Sequence, residues 1–159
     1  RAQQHDNAQH NALDNRLTQR LKLAATLSRG TWHASTQLHG SAYTSGADHS
    51  LGFLALQNLG LTHQWLTADA ALTYFCTDDY DSRLYVYERG LLYDFSFPMF
   101  YGRGIHYSVR LRADLSPRLM LMAKAATTNY FDRSAIGSGL QRIGHSSKTD
   151  VEVQLRWKF

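Results

Sequence analysis

The sequence has 159 residues, and it contains one cysteine, two prolines and no long apolar run. Cys76 cannot form an intramolecular disulfide by itself, so disulfides do not hold this fold together, and no zinc-type cysteine spacing is present. No window approaches the roughly 18 apolar residues of a membrane-spanning helix, which excludes helical membrane proteins. Transmembrane β-barrels stay open as a class, because every second residue of their strands faces a polar interior.

Charged residues are also few, at 19%, whereas hydrophobic residues make up 43% and aromatic residues 12%. This composition is too apolar and aromatic for a disordered chain, and the length suits one domain or part of a larger one. The net charge of +4 allows an anionic partner such as lipopolysaccharide, nucleic acid or an acidic lipid. Ordinary solvation explains the charge equally simply.

Period-two alternation dominates the sequence and predicts β-strands. In residues 104–115, apolar side chains such as Tyr107, Val109 and Leu111 alternate with polar ones such as Arg110 and Arg112. The same pattern predicts strands at residues 16–28, 31–43, 66–75 and 151–159. Two further strands, at 50–58 and 118–131, are less regular: the first is apolar on both faces, and the second has Met120 and Met122 on its polar face, with Lys124.

The links between these strands predict an antiparallel meander. Links near residues 28–31, 58–63 and 115–117 are short, while those at 44–49, 76–103 and 132–149 are generally longer. Aromatic residues fall into two groups, as at the two interfaces of a membrane. Beside the short turns lie Trp32, Trp65, Trp157 and Phe159, and beside the long loops lie Tyr43, Tyr74, Phe75, Tyr107, Tyr130 and Phe131. We therefore predict an all-β fold, an antiparallel up-and-down transmembrane β-barrel with extracellular loops at 76–103 and 132–149.

The strand count predicts that other strands complete this barrel. Seven spanning strands are visible within residues 16–159, whereas bacterial single-chain barrels have an even number. The polar residues 1–15 do not have a strand pattern, and we interpret them as an N-terminal extension or an extracellular loop. We expect the C-terminal part of a larger barrel. A soluble lipocalin-like barrel is the alternative, with the apolar face of each strand turned inward.

The last strand also points to the bacterial outer membrane. Its apolar face ends in an aromatic residue and resembles the signal by which outer-membrane barrels are recognised for insertion. The residues of this predicted signal are Val153, Leu155, Trp157 and Phe159.

Three segments resemble a known family. They are YFCTDDYDSRLYVYERGLLYDFSFPMFYGRG at 74–104, TTNYFDRSAIGSGLQRI at 127–143 and the closing VQLRWKF. They are similar to the C-terminal barrel region of outer-membrane proteins of Bacteroidota described as helix-hairpin-helix domain-containing, with the best match over 63–159. The resemblance implies a barrel fused to a DNA-binding module. No such module is visible in this sequence, and Cys76 stands where the family often has an acidic residue.

Basic residues dominate the polar face of the strands. This predicted lumenal set is Arg16, Arg20, Lys22, Arg110, Arg112, Lys124, Arg156 and Lys158. The set would favour anions or a polyanion inside the barrel. Alternatively, its members form ladders of charge pairs, such as Lys124 with Glu152 on the adjacent strand.

The loop at 76–103 contains two further candidate sites. Asp78, Asp79 and Asp81 form a weak candidate calcium site, without EF-hand spacing. The rest of the loop reads as a β-hairpin that either projects from the membrane or folds back over the mouth of the barrel. Its candidate partner-contact residues are Tyr85, Tyr87, Tyr93, Phe95 and Phe97.

Catalytic patterns are weak. The eight histidines are scattered, and no GxSxG elbow is present, which leaves a hydrolase on a strand surface only as an alternative. We predict no enzyme activity, catalytic residues, cofactor or structural metal. The function expected is that of a structural or accessory subunit in an outer-membrane assembly, with outer-membrane lipid, lipopolysaccharide and other outer-membrane proteins as partners. The alternatives are a component that binds or translocates DNA, with nucleic acid as partner, and a soluble binding barrel.

Overall fold

A computed structural model describes the backbone of residues 2–6, 13–137 and 139–159 and the side chains of residues 16–137 and 139–159. Seven strands of 11 to 17 residues dominate the fold. They are β2 (Leu13–Arg29), β3 (Trp32–Ser45), β4 (Asp48–His63), β5 (Leu66–Thr77), β10 (Arg103–Ser116), β11 (Leu119–Tyr130) and β12 (Ser147–Trp157). The described part of the chain has no helix long and apolar enough to cross a membrane.

The seven strands form one antiparallel sheet in up-and-down order, which confirms the predicted all-β class. A short strand, β1 (Ala2–Asp6), pairs with β2 and makes eight, so the sheet order is β1-β2-β3-β4-β5-β10-β11-β12. Within the described residues β1 and β12 are the edges, and the sheet is not closed. β-branched and large apolar residues on alternate positions stabilise each strand against its neighbours.

Residues 1–15 differ from the prediction in their backbone. A strand lies at Ala2–Asp6, and β2 begins at Leu13, although the polar composition gave no alternation. Ladder hydrogen bonds with the neighbouring strand do not require apolar side chains, which is why the pattern missed them. Residue 1 and residues 7–12 lie outside the described residues, so the interpretation of 1–15 as an extension or extracellular loop stays a prediction.

The predicted difference in loop lengths is correct for two links of three. The link at 44–49 is wrong as a long loop, because only Gly46 and Ala47 separate β3 from β4, with Gly46 at φ 58°. That is a two-residue hairpin turn, for which glycine's freedom at positive φ is suited. The link between β11 and β12 is long and contains a short 3-10 helix (Gly139–Gln141).

The long link between β5 and β10 folds against one face of the sheet. It contains four two-residue strands: β6 (Leu84–Tyr85) pairs with β9 (Met99–Phe100), and β7 (Glu88–Arg89) pairs with β8 (Phe95–Ser96). We call residues 84–100 the folded-in hairpin, the side of the sheet that it contacts the covered face, and the opposite side the outer face. The structure shows this hairpin packed on a face of the sheet, which is closer to the predicted folding back than to projection.

Apolar residues on the covered face explain the first irregular strand. Leu54, Leu56 and Phe75 of the sheet are buried with Leu84, Val86 and Phe100 of the link. Burial of each such side chain stabilises a fold by about 1.5–3 kcal/mol. The apolar residues of 50–58 therefore have two roles. Those on the covered face form an apolar floor, the surface on which the hairpin packs, and those on the opposite side belong to the outer face.

The second irregular strand has the same explanation. Met120, Met122 and Lys124 of β11 lie on the covered face and are 6%, 2% and 6% exposed. Methionine suits an irregular surface of this kind because its side chain is flexible and polarizable. The unexpected apolar residues on a polar face thus mark the strands that the link covers.

For three aromatic residues the predicted position at the long-loop interface is wrong: Phe75, Tyr130 and Tyr43 lie on the covered face. Phe75 is fully buried on the covered face, where its ring centroid lies 4.9 Å from that of Phe100 and 5.6 Å from that of Tyr130. Tyr43 stands opposite the buried Ser50, on the covered face. Proximity to a strand end does not decide the face, because successive residues alternate sides.

Gly52 marks the point where the link turns over the sheet. A Cβ atom at this position would overlap the carbonyl oxygen of Ser82. We predict that Gly52→Ala destabilises the folded protein by about 1–3 kcal/mol through overpacking. Gly40→Ala is the matched control in β3, where a Cβ meets nothing within 4 Å. Urea unfolding measures both, and equal stability of the two variants would contradict the close approach.

Candidate functional site

The candidate site is the contact between the folded-in hairpin and a row of polar residues that crosses the sheet. Directly opposite one another on adjacent strands are His33, Gly60, Asp69, Arg110, Lys124 and Glu152. Residues opposite one another share a face, so this row lies on the covered face from β3 to β12. Because each strand contributes one member, the strand register alone brings these distant residues together.

Asp69 is the centre of the first charge cluster. Its carboxylate is 11% exposed and accepts hydrogen bonds from Nε and Nη2 of Arg110 on the adjacent strand. Arg89 of the hairpin donates from Nη1 to Asp69 Oδ1 at 2.7 Å. One carboxylate is thus shared by two guanidinium groups: both donors of Arg110 converge on Oδ2, and Arg89 binds Oδ1 in charge-assisted hydrogen bonds.

His33 completes this cluster. Its Nε2 atom lies 3.3 Å from Asp69 Oδ1 and 3.3 Å from Nη1 of Arg89. Gly60 of β4 stands between His33 of β3 and Asp69 of β5, and a Cβ atom there would overlap the imidazole ring of His33. Glycine in a strand interior is unfavourable, and here it provides the space through which His33 reaches the carboxylate.

Glu88 of the hairpin is the centre of the second cluster. Its Oε2 atom lies 3.4 Å from Nζ of Lys124, and its Oε1 atom lies 3.3 Å from Nε2 of His106. His106 Nδ1 lies 2.8 Å from the hydroxyl of Thr128. The side chains of Glu88, Lys124 and His106 are about nine-tenths buried, so this is a largely buried ion pair supported by hydrogen bonds.

The predicted pair between Lys124 and Glu152 is wrong as an ion pair. The two residues do stand opposite each other on β11 and β12. Lys124 instead binds Glu88, because the hairpin brings a carboxylate into the covered face, whereas Glu152 is exposed near the sheet edge. A contact from a segment more than 30 residues away in the sequence could not be found from strand alternation.

The tip of the hairpin is held by β12. The backbone N–H of Leu92 donates to Gln154 Oε1 at 2.9 Å, and Gln154 Nε2 donates to the Leu92 carbonyl at 3.2 Å. Arg110 Nη1 also reaches the carbonyl of Gly90 at 3.5 Å. The hairpin therefore contacts β3, β5, β10, β11 and β12, and it crosses the width of the sheet.

The other predicted basic residues also lie on the covered face, and of these only Lys22 lines the cleft beside the hairpin. Continuous register places Arg16, Arg20 and Lys22 of β2 on that face. Arg112 binds Asp114 at 2.9 Å, and Arg156 stands opposite Met120. Lys158 follows the end of β12 and donates its backbone N–H to Arg118. Of the eight basic residues, only Arg110 and Lys124 form ion pairs with the clusters described above.

The three loop aspartates hold the chain where it turns over the sheet. Asp78 Oδ2 accepts from the backbone of Leu51 at 2.9 Å, and Asp79 Oδ1 accepts from the hydroxyl of Ser50 at 2.5 Å. The hydrogen bond from Ser50 lowers the pKa of Asp79 below its usual value. Asp81 lies 4.0 Å from Arg83. Among the described residues no group of three or more His, Cys, Asp or Glu side chains could hold a metal ion, so the calcium hypothesis gains no support.

The aromatic residues of the hairpin face away from the sheet. Tyr85, Tyr87, Tyr93, Phe95 and Phe97 are all exposed, from 43% to 80%. The ring centroids of Tyr87 and Phe97 lie 5.5 Å apart, and the two residues stand between the paired short strands on either side of the hairpin. The hairpin is thus amphipathic: one side packs on the sheet, and the other presents rings. Their role in partner contact stays a prediction.

The closing strand presents its apolar residues on the outer face. Val153, Leu155 and Trp157 are between 63% and 69% exposed. Phe159 stacks on Trp157 with ring centroids 6.1 Å apart and an interplanar angle of 17°. The apolar and aromatic residues are therefore accessible, and their role as an insertion signal stays a prediction.

Comparison of the chain with protein-family models, with curated proteins and with solved structures found no match. The geometry of the site and the polarity of the two sheet faces are therefore the basis for a functional proposal.

The Glu88 cluster predicts a stability that depends on pH. Burial alone would raise the pKa of Glu88, but hydrogen bonds from His106 and Ser108 and the charge of Lys124 lower it from 4.5 to about 2. Because the pKa is depressed in the folded state, this stabilisation is present above pH 4.5 and is lost as the pH falls toward 2. We expect the loss to amount to roughly 3 kcal/mol, and urea unfolding at a series of pH values measures it.

Glu88→Gln tests the assignment of this pH dependence. At pH 7 the variant should be less stable than the natural protein by a few kcal/mol, because Lys124 keeps a buried charge without its partner. Between pH 4.5 and 2 the two proteins should converge in stability. Glu152→Gln, at an exposed position of β12, is the control and should follow the natural protein. Parallel curves for the natural protein and Glu88→Gln would contradict the assignment.

Proposed function

We propose that this chain is part of an integral β-barrel of the bacterial outer membrane, with a non-enzymatic role as a structural or accessory subunit of a larger assembly. The observation that carries the proposal is the polarity of the sheet. Large apolar side chains stand exposed on the outer face of all seven long strands, among them Leu23, Leu38, Leu51, Leu72, Val109, Leu121 and Val153. The ion pairs of the strands lie on the covered face, whereas the outer face carries only uncharged polar pairs such as Thr36 with Gln57 and Thr127 with Thr149 among the described residues.

This polarity is the reverse of that in a soluble barrel. A lipocalin-like barrel turns its apolar face inward and its charges to water. Here Leu51, Val109 and Val153 are 62%, 48% and 69% exposed, and water would meet a largely apolar surface. An apolar surface of this extent is stable against hydrocarbon, so the arrangement supports a membrane location over a soluble one.

The edges of the sheet support the assembly part of the proposal. β12 is 11 residues long, and within the described residues no strand pairs with its outer edge. In hydrocarbon every backbone N–H and C=O group needs a partner, so in a membrane this edge has to pair with another strand, of this chain or of a neighbour. The exposed rings of the folded-in hairpin add a second surface for contact. We accordingly propose other outer-membrane proteins, lipid and lipopolysaccharide as partners. The resemblance of the sequence to barrels of Bacteroidota is a further reason for this proposal.

A role in DNA binding or translocation has weaker support. A polyanion requires cations whose charge is available, and affinity for DNA comes mainly from contacts with phosphates. Arg110 and Lys124 are bound to carboxylates, and Arg112 is bound to Asp114. The charge-pair alternative therefore accounts for three of the eight basic residues.

Val109→Arg tests the membrane location. Val109 lies in the middle of β10 on the outer face, where an arginine at the bilayer midplane costs about 2–4 kcal/mol. We expect the variant to fold less stably in lipid vesicles, as measured by urea unfolding. Thr26→Arg on the covered side is the control and should be tolerated, because Thr26 lines an open cleft. In a soluble barrel the half-exposed Val109 would tolerate the change equally well.

Cell fractionation tests the same proposal independently. The protein expressed with its natural partners should remain in the outer-membrane fraction after carbonate washing and should need detergent for extraction. Recovery in the aqueous phase without detergent would overturn the proposal.

A further inference from the structure

A cleft of about 310 Å³ lies between the folded-in hairpin and the strands β2 to β5 and β10. Its wall carries hydroxyl and amide side chains, among them Thr26, Ser35, Asn58 and Thr73, and its charged lining includes Lys22, Asp69, Glu88, Arg89 and Arg110. This volume is at the lower end of small-molecule sites, so a small solute fits and a nucleic-acid duplex does not.

Charges at the cleft do not balance. Two carboxylates, Asp69 and Glu88, face four cations, since Lys22, Arg89 and Arg110 line the cleft and Lys124 binds Glu88 from the wall behind. The net charge at the cleft is therefore +2 with neutral histidines. Inside a partly enclosed site such an excess is screened less than on an open surface, and it attracts anions.

Two of the cations have donors that the structure leaves available. The side chain of Arg89 is 52% exposed, and of its three guanidinium nitrogens only Nη1 forms hydrogen bonds within the described residues, to Asp69 and to His33. Lys22 is exposed and forms no ion pair with the carboxylates of the described residues. Among the same residues the amide of Asn58 has no hydrogen-bond partner, and it adds a neutral donor to the wall.

We propose that this cleft binds a small anion that carries a carboxylate or phosphate group, with Arg89 and Lys22 as its charged contacts. Arg89 has a fixed position because Asp69 holds one of its nitrogens, and its remaining N–H groups match the two oxygens of a carboxylate or phosphate. Arg110 and Lys124 add positive potential from the wall but are held by their own carboxylates. The hairpin thus provides a cation that the strands alone do not place there.

Binding to the intact protein in non-ionic detergent tests the proposal. The probes are inorganic phosphate and succinate, each titrated at low ionic strength by calorimetry, with a cationic probe of similar size, putrescine, in parallel. We expect both anions to bind and putrescine not to bind, and we expect added sodium chloride to weaken the binding. The relative affinities of phosphate and succinate distinguish a phosphate site from a carboxylate site.

Arg89→Gln and Lys22→Gln locate the site. Each variant should weaken anion binding at least about fivefold, whereas Arg29→Gln, an exposed arginine at the end of β2, should leave it within twofold. Arg89→Lys keeps the charge and should recover part of the affinity, which separates loss of a contact from release of the hairpin. Equal affinity of Arg89→Gln and the natural protein for the anions would overturn the proposal, and so would equal binding of putrescine. It would also be overturned if a short DNA duplex bound more tightly than the small anions and Arg29→Gln weakened that binding.

Discussion

The architecture of this protein depends on one ionic contact, that of the folded-in hairpin with the row of residues across the covered face. Opposite charges alternate between the two partners: Glu88 of the hairpin meets Lys124 of the wall, and Arg89 meets Asp69. A buried charge without a partner is costly, so each side of this contact requires the other. The row exists only in the paired sheet, and Glu88 and Arg89 of the hairpin find their charged partners only there.

The apolar floor and the ion pairs divide the work along the hairpin. Near the loop end, Leu84 and Phe100 pack on Phe75 and Leu54, and this contact is not directional. Nearer the tip, the ion pairs and the hydrogen bonds of Gln154 determine which residues meet. The result is a hairpin of fixed position whose other side presents aromatic rings. A polar cleft remains beside it, where cations exceed carboxylates.

The strands were predictable because their determinant is local. Tyr107 to Leu115 alternate in polarity by themselves, and β10 begins and ends within one residue of the prediction. The outward direction of the apolar residues is visible only in the folded chain, because alternation is the same for either orientation of a barrel. The pair of Lys124 with Glu152 failed for a related reason. Adjacent strands were correctly aligned, yet a competing carboxylate came from the hairpin, whose position on the sheet no strand pattern predicts.

Amino-acid sequence alone determined the seven long strands, their antiparallel order and the basic character of one face, since these follow from the two-residue period of a strand. It also marked 50–58 and 118–131 as irregular without a reason. Tertiary structure decided that reason, because only the folded link brings Leu84, Val86 and Glu88 onto those strands. The candidate site belongs to the same class of feature: its charges come from β2, β5, β10, β11 and the hairpin, and long-range packing is what brings them together.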